Sequence, residues 1–417
     1  MTGTHRTGIC IIGGGPGGCA AALRLAQLGG EAILLEKAVF PRDKVCGDAL
    51  SGKVMRTLER LDAELAAAVK TDARSMPSWG VTFVAPGGRS LRVPFSRTTG
   101  LGEAPGAILP RKEFDDLLFQ RVSGLPGITV LQGAADSYER TAEGWTISTG
   151  DGKTTIAAGI VIDCSGANSS FARRMGKLPL EPRHHAAGVR GYYSGVKDLD
   201  AQGFIELIFL KDLLPGYLWV FPLPGGRANV GLGLRSDVVK KRRVDLKALL
   251  TKLLAEHPQL KDRFAHAALD GDIQGMGLPL ASKRHPLSGD GYLLVGDAGH
   301  LIDPFTGEGI SHAMISGVHA AEVAHEMLTG NDVSASAAKH YDERVWKRLG
   351  KELAISTRLQ ALADKPWLFD YVVDRANSNP ALADTISSMF TDLDLRERLK
   401  KPGFYLDLVL GRAPVAP

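Results

Sequence analysis

Three groups of residues have the types and spacing to do chemistry. The first lies in "GICIIGGGPGGCAAALRLAQLGGEAILLEK", where Gly13, Gly15 and Gly18 follow a short apolar run and Glu36 stands about twenty residues on. Glycine at the first position permits a tight turn. At the second it lets backbone approach a ligand, and at the third it lets a helix pack on a strand. Such a turn aims a helix N-terminus at a pyrophosphate, while Glu36 can accept from both ribose hydroxyls and would repel a 2′-phosphate. The second group is "GYLLVGDAGHLIDPFTGEGISHAMISG". Asp297 ends a strand-like run, and Pro304, Gly307 and Gly309 make a bare-backbone loop ahead of Ile310, where a helix starts. The third is "LPGYLWVFPLPGG", with Tyr217, Trp219 and Phe221 at strict alternation. In an extended strand the three rings share one face, and Leu218 and Val220 take the other. Taken alone, that stretch is most simply a core strand.

The second group selects FAD over NAD. Asp297 at a strand end can hydrogen-bond a ribitol chain, which NAD lacks. The loop and helix start around Gly307, Gly309 and Ile310 can place amides and a positive dipole beside the electron-rich edge of an isoalloxazine. The ring-bearing strand then gains a role, as the wall of an apolar slot over the flavin. An isolated alkene is unpolarised, so hydride addition needs a proton on the other carbon. Aromatic faces stabilise the passing positive charge by about 0.5–2 kcal/mol each, and a dry wall keeps water from trapping it. Cys46, in "KVCGD", is a candidate proton donor, substrate-positioning group or simple packing residue. Tyr217 is a rival donor. Asp48 and Lys44 are expected to shape the loop, and His300 and His312 to satisfy backbone.

The elements that must position these groups follow from pattern. Gly8–Ile12 reads as a buried strand, Ala20–Leu28 as a helix, 31–36 as a second strand and Tyr292–Val295 as another. Runs such as "WGVTFVAPG", "HAAGVRGYYSGV", "FIELIFL" and "ANVGLGL" alternate between Gly, Pro and Asp turns, which predicts an antiparallel sheet. Pro222 is expected to end the aromatic strand and Pro224-Gly225-Gly226 to turn the chain back. A helix from about Val244 to Glu256 interrupts the sheet. The fold class is an α/β FAD-binding Rossmann-like domain (1–75, 98–183, 284–330) with an inserted antiparallel-sheet substrate domain (76–97, 184–283) and a helical C-terminal region (331–417).

Composition bounds the rest. The 417 residues are 44% hydrophobic and 23% charged, the balance of a soluble globular chain of two or three domains. A net charge of +4 gives no argument for nucleic acid. No apolar run reaches the roughly 18 residues that span a bilayer, and the N-terminus has no signal-peptide pattern. The four cysteines, Cys10, Cys19, Cys46 and Cys164, lack metal-ligand spacing; free thiols in the cytoplasm are expected. Basic pairs at Lys347-Arg348, Lys400-Lys401 and within 240–243 read first as solvated faces, or else as loose contacts with an anionic lipid surface.

Taken together, the N-terminal fingerprint and "GDAGHLIDPFTGEGI" resemble the flavoprotein superfamily built like para-hydroxybenzoate hydroxylase. Within it, "FPRDKVCGD", "PGYLWVFP" and the C-terminal "KPGFYLDLVLG" resemble the geranylgeranyl reductase branch. The resemblance implies an FAD enzyme that saturates isoprenoid double bonds, fed by NADPH or another external donor such as a redox partner. It also implies that Arg42 and Arg111 lie along the FAD, and it strengthens the case for Cys46. Two departures stand out. "VIDCSGANSS" has Ser165-Gly166 where the family often has Asp-Gly, with Asp163 nearby, which puts nicotinamide docking in doubt; and Leu214 takes the place of a motif proline, with Pro215 following. The alternative within the superfamily is an FAD-dependent monooxygenase or halogenase, whose W-x-W-x-I-P stretch "YLWVFP" matches in part. A flavin-binding redox carrier or lipid-binding module is the non-enzymatic alternative.

Overall fold

The computed structural model describes residues 3–95, 102–363 and 365–379. Its first sheet grows from the N-terminal apolar run. Gly3–Ile12 pairs in parallel with Ala32–Glu36 on one side and Thr154–Asp163 on the other. Ile128–Gln132 and Tyr292–Leu294 extend the parallel array outward. Ile9–Ile12 and Ala32–Glu36 are buried without alternation, as strands covered on both faces must be. The hairpin Ala135–Thr141 and Gly144–Thr149 hangs antiparallel on Thr154–Asp163, and Ser288–Gly289 pairs antiparallel with Tyr292–Leu294, giving eight strands among the described residues. Helices Pro16–Gln27 and Ile310–Thr329 pack against each other over this sheet. The parallel strands end together at one edge. Gly13, Glu36, Cys164 and Asp297 all lie at or just past those ends, where open α/β sheets bind ligands.

The second sheet has seven strands, in the order Ala268–Pro279, His185–Ser194, Arg227–Arg235, Tyr217–Leu223, Ile205–Ile208, Gly80–Val84 and Ser90–Pro94. It departs from the expected antiparallel sheet in one pairing: Ile205–Ile208 runs parallel to Gly80–Val84. Chain distant in sequence joins there, so no tight hairpin forces the antiparallel sense. Met76–Ser78 pairs instead with Gly106–Ile108, in a small three-stranded sheet with Ala49–Leu50. Pro222 does not end its strand, which runs to Leu223. Ile205–Ile208 pairs only as far as Val220, so on that side Pro222 faces no ladder partner and its missing N–H leaves no bond unmade.

The alternation places the faces as expected. Leu218 and Val220 join Val230, Leu232 and helix Leu246–Glu256 in one core, while Trp219 and Phe221 belong to another with Phe83, Phe209 and Ile205. The helical C-terminal region contains Ala335–Ala363 and Pro366–Ser378. Pro366–Ser378 covers the edge strand Ser90–Pro94, Asn377 Nδ2 donating to the Ser90 carbonyl at 3.0 Å. The "KPGFYLDLVLG" stretch and Lys400-Lys401 lie outside the described residues.

Candidate active site

One cavity of about 600 Å³ runs from the glycine turn to the ring-bearing sheet. Gly13, Gly15, Glu36, Arg42, Arg111, Asp297, Gly307, Gly309 and Ile310 line it, and so do Cys46, Tyr217, Trp219 and Phe221. Among the residues expected to bind the cofactor or do the chemistry, Gly18 does not line it. A Cβ there would lie 1.9 Å from the Gly13 carbonyl oxygen, so it serves close helix–strand approach. Gly13 adopts φ +103, and a Cβ on it would strike Cys164.

Two helix N-termini at the cavity carry a glycine N-cap with no side-chain cap. Gly15 precedes Pro16–Gln27, and Gly309 precedes Ile310–Thr329. Their first-turn amides are left for an anionic ligand. A Cβ on Gly15 would meet only Arg42, at 3.6 Å, so backbone there is open to close approach. These features fit a dinucleotide. Glu36 does more than face a ribose: its Oε2 accepts from the Gly14 amide at 2.6 Å and its Oε1 from the Ala38 amide at 2.7 Å. Free lone pairs of the carboxylate remain for hydroxyls. Asp297 Oδ2 accepts from Lys44 Nζ at 3.1 Å, a pairing that no local motif encodes.

Arg42 and Arg111 converge on Asp115. Arg111 holds it with Nε and Nη2 at 2.6 and 2.7 Å, and Arg42 Nη1 donates to it at 2.8 Å. Burial alone would raise the Asp115 carboxyl, but the two guanidiniums hold it below its usual range. Burial likewise opposes the charge on Arg111, and the adjacent Asp115 carboxylate more than reverses this. Arg111 therefore stays cationic beside Cys46.

The rings form a continuous wall. Tyr217 and Trp219 lie 6.2 Å apart between centroids, and Trp219 and Phe221 6.3 Å. Glycines make room for them: a Cβ on Gly231, directly across the strand pair, would come within 2.3 Å of the indole, and one on Gly47 within 2.5 Å of Phe221. Ile205, Leu207 and Phe95 continue the apolar lining. Tyr217 donates its hydroxyl proton to the Thr306 carbonyl, which docks the strand on the 303–309 loop. Burial raises that hydroxyl, with Asp303 and Cys46 adding to the effect. The geometry weighs against Tyr217 as proton donor.

Asn229 was missed by sequence reasoning, yet it ties the site together. Its Oδ1 accepts from Trp219 Nε1 at 2.9 Å, and its Nδ2 donates to the Cys46 carbonyl and to Asp48 Oδ2, both at 2.7 Å. Tyr192 also donates to Asp48 Oδ2, at 2.8 Å, and the Arg111 amide to Oδ1, at 3.1 Å. Burial raises the Asp48 carboxyl to about 6 despite these donors. The one available signal was glycine alternation in "NVGLG", opposite an aromatic strand. Asp163 is held by Ser165 and Ser169, whose hydroxyls donate to it at 2.5 Å each, and it braces the 164–170 loop. His312 Nδ1 meets the Leu301 carbonyl at 2.7 Å, as a backbone-satisfying histidine should.

A parallel sheet whose ends carry a dinucleotide turn, with a second sheet roofing the same cavity, defines an FAD-dependent oxidoreductase. The family model described as "FAD binding domain" matches residues 6–207. Digeranylgeranylglycerophospholipid reductase 1 of Methanopyrus kandleri is 32% identical, over 81% of this chain and 85% of its own. A menaquinone reductase of Mycobacterium tuberculosis is 27% identical, over 86% and 84%. Among solved structures, a geranylgeranyl bacteriochlorophyll reductase-like protein from Thermoplasma acidophilum superposes with a TM-score of 0.78 at 24% identity, covering 93% of this chain and 100% of that one. The chain belongs to the geranylgeranyl reductase family of FAD-dependent oxidoreductases.

Proposed function

We propose that the protein is an FAD-dependent reductase that saturates carbon–carbon double bonds of an isoprenoid or similarly hydrophobic chain. The observation that carries this reading is the single cavity that joins the dinucleotide turn to a wall of three aromatic rings. Relatives named for digeranylgeranylglycerophospholipid and menaquinone reduction support the substrate class. Gly13, Gly15 and the first helix N-terminus would hold the pyrophosphate, with Gly18 keeping that helix close. Glu36 would hold the ribose and Asp297 the ribitol; Gly307, Gly309 and Ile310 would border the ring edge, and Arg42 and Arg111 would flank the cofactor. Bound, reduced FAD supplies the hydride; NADPH or another external carrier would recharge it.

The chain's own residues do the rest. Cys46 lines the cavity beside the Arg111 guanidinium, where its thiol would give a proton to an alkene carbon. Trp219 and Phe221 present ring faces to the cationic character that grows on the other carbon. Ile205, Leu207 and Phe95 keep water from it. Among the described residues no helix is long and apolar enough to cross a membrane, so a membrane-borne substrate would be met by surface contact.

The test is product analysis under anaerobic conditions. Reduced holoprotein incubated with geranylgeranyl compounds should yield products heavier by two hydrogens per saturated bond in mass spectra. Unchanged alkene, together with oxygen-dependent hydroxylated or halide-dependent halogenated product in air, would overturn the reading.

A further inference from the structure

Helix Ala335–Ala363 reads in sequence as amphipathic, with solvated charges. Its buried face is apolar at Tyr341, Val345, Leu349 and Leu353, yet three polar residues, Glu352, Ser356 and Gln360, share that burial at exposures of 6%, 0% and 9%. The spacing i, i+4, i+8 puts all three on one stripe. Two of them reach the segment that leads into helix Ile310–Thr329, and Glu352 reaches the first turn of that helix. Ser356 Oγ donates to Asp303 Oδ2 at 2.6 Å, and Gln360 Nε2 to the Pro304 carbonyl at 2.6 Å. Glu352 pairs with Lys53 of helix Gly52–Leu61 and lies 3.8 Å from His312 Nε2. A buried polar row is costly where leucine would pack, unless every member has a partner. Here the partners belong to one loop, the helix that follows it and Lys53 of helix Gly52–Leu61.

That loop is braced from within as well. Asp303 Oδ1 accepts from the Phe305 and Thr306 amides at 2.9 and 2.8 Å, and Glu308 Oε1 accepts from Ser51 Oγ at 2.5 Å. Its outer residues, Thr306 to Gly309, line the cavity. His312 Nδ1 is committed to the Leu301 carbonyl, so a neutral ring would turn its Nε2 lone pair toward the Glu352 carboxylate. Burial works against a charged ring, but Glu352 outweighs it and raises His312, with Glu308 adding and Lys53 opposing. The imidazolium is the form that suits this geometry.

We propose that Glu352, Ser356 and Gln360 form a polar ladder that positions the 303–309 loop against the flavin ring. The His312 cation that Glu352 retains favours the reduced, anionic ring. This inference rests on the reading that the loop borders the isoalloxazine, but not on which substrate is reduced. These are positioning residues, and the test is made on the holoprotein without alkene. Ser356→Ala and Gln360→Ala should each weaken flavin affinity about tenfold at unchanged helix content by circular dichroism, and Ser356→Thr should restore it. In spectroelectrochemical titration, His312→Gln should lower the flavin midpoint potential by about 30 mV, equivalent to a tenfold change for a two-electron couple. Should His312→Gln fold poorly, Lys53→Met removes the other buried cation and should lower the potential likewise. Wild-type affinity and potential in these variants would overturn the proposal. A protein that reduces no alkene would leave both readouts intact, so the two readings fail separately.

Discussion

Gly15 and Gly18 belong to the same turn but answer to different forces. A Cβ on Gly15 meets nothing closer than Arg42 at 3.6 Å, whereas one on Gly18 would lie 1.9 Å from a backbone oxygen. Gly15→Ala should therefore fold normally and bind flavin at least tenfold more weakly. Gly18→Ala should lose about 1–3 kcal/mol of stability or more. Flavin fluorescence titration beside urea unfolding separates the two. Cys46→Ala should cut alkene turnover by roughly 10²–10⁴, the range for loss of a general acid, with the flavin spectrum unchanged. Tyr217→Phe should alter turnover by no more than about tenfold, a loss below that general-acid range, because its proton is held by the Thr306 carbonyl. Asp48 gives a pH signature. Its carboxyl is raised from 3.8 to about 6, so the folded state holds the proton more tightly than the unfolded chain does. The stabilisation is complete below about pH 4 and is lost as pH rises through about 6, a swing of about 3 kcal/mol. Stability curves of wild type and Asp48→Asn should diverge by that order across this window; parallel curves would count against the assignment.

At the scale of elements, Tyr217–Leu223 serves two cores with one alternation. Leu218→Ala should cost about 2–5 kcal/mol, with turnover per folded molecule kept. Trp219→Ala should lower turnover more than tenfold per folded molecule. Equal effects on turnover would mean that the two faces are not functionally distinct. This strand and the glycine turn were legible because their signals are local: period-two rings, and three glycines followed by an acid. The parallel pairing of Ile205–Ile208 with Gly80–Val84 was not legible, since nothing in either run encodes a neighbour so far along the chain. Asn229, Lys44 with Asp297, and the ladder of Glu352, Ser356 and Gln360 stayed hidden for the same reason. Asn229 and the ladder residues look ordinary in their own segments, and Asp297, conspicuous by itself, gives no sign of its pairing with Lys44; these roles come only through contacts made by the folded chain. Pro222 misled for a physical reason too: proline stops a strand only where the ladder needs its N–H.

Across the whole molecule, two sheets of different origin share one cavity. The parallel sheet offers its strand ends and two uncapped helix termini, and the seven-stranded sheet offers its ring-bearing face. Long-range contacts hold the halves in register. Tyr217 docks on the 303–309 loop, Asn229 on the Cys46 backbone, and Arg190 donates to Asp43 at 2.9 Å. The central claim is that an alkene in this cavity meets the reduced flavin directly. Anaerobic stopped-flow mixing of the reduced holoprotein with a geranylgeranyl compound tests it most directly. Oxidised-flavin absorbance should return in a single turnover, with one double bond saturated per flavin. A flavin that stays reduced with every alkene offered, and re-oxidises only when oxygen is admitted, would contradict the account.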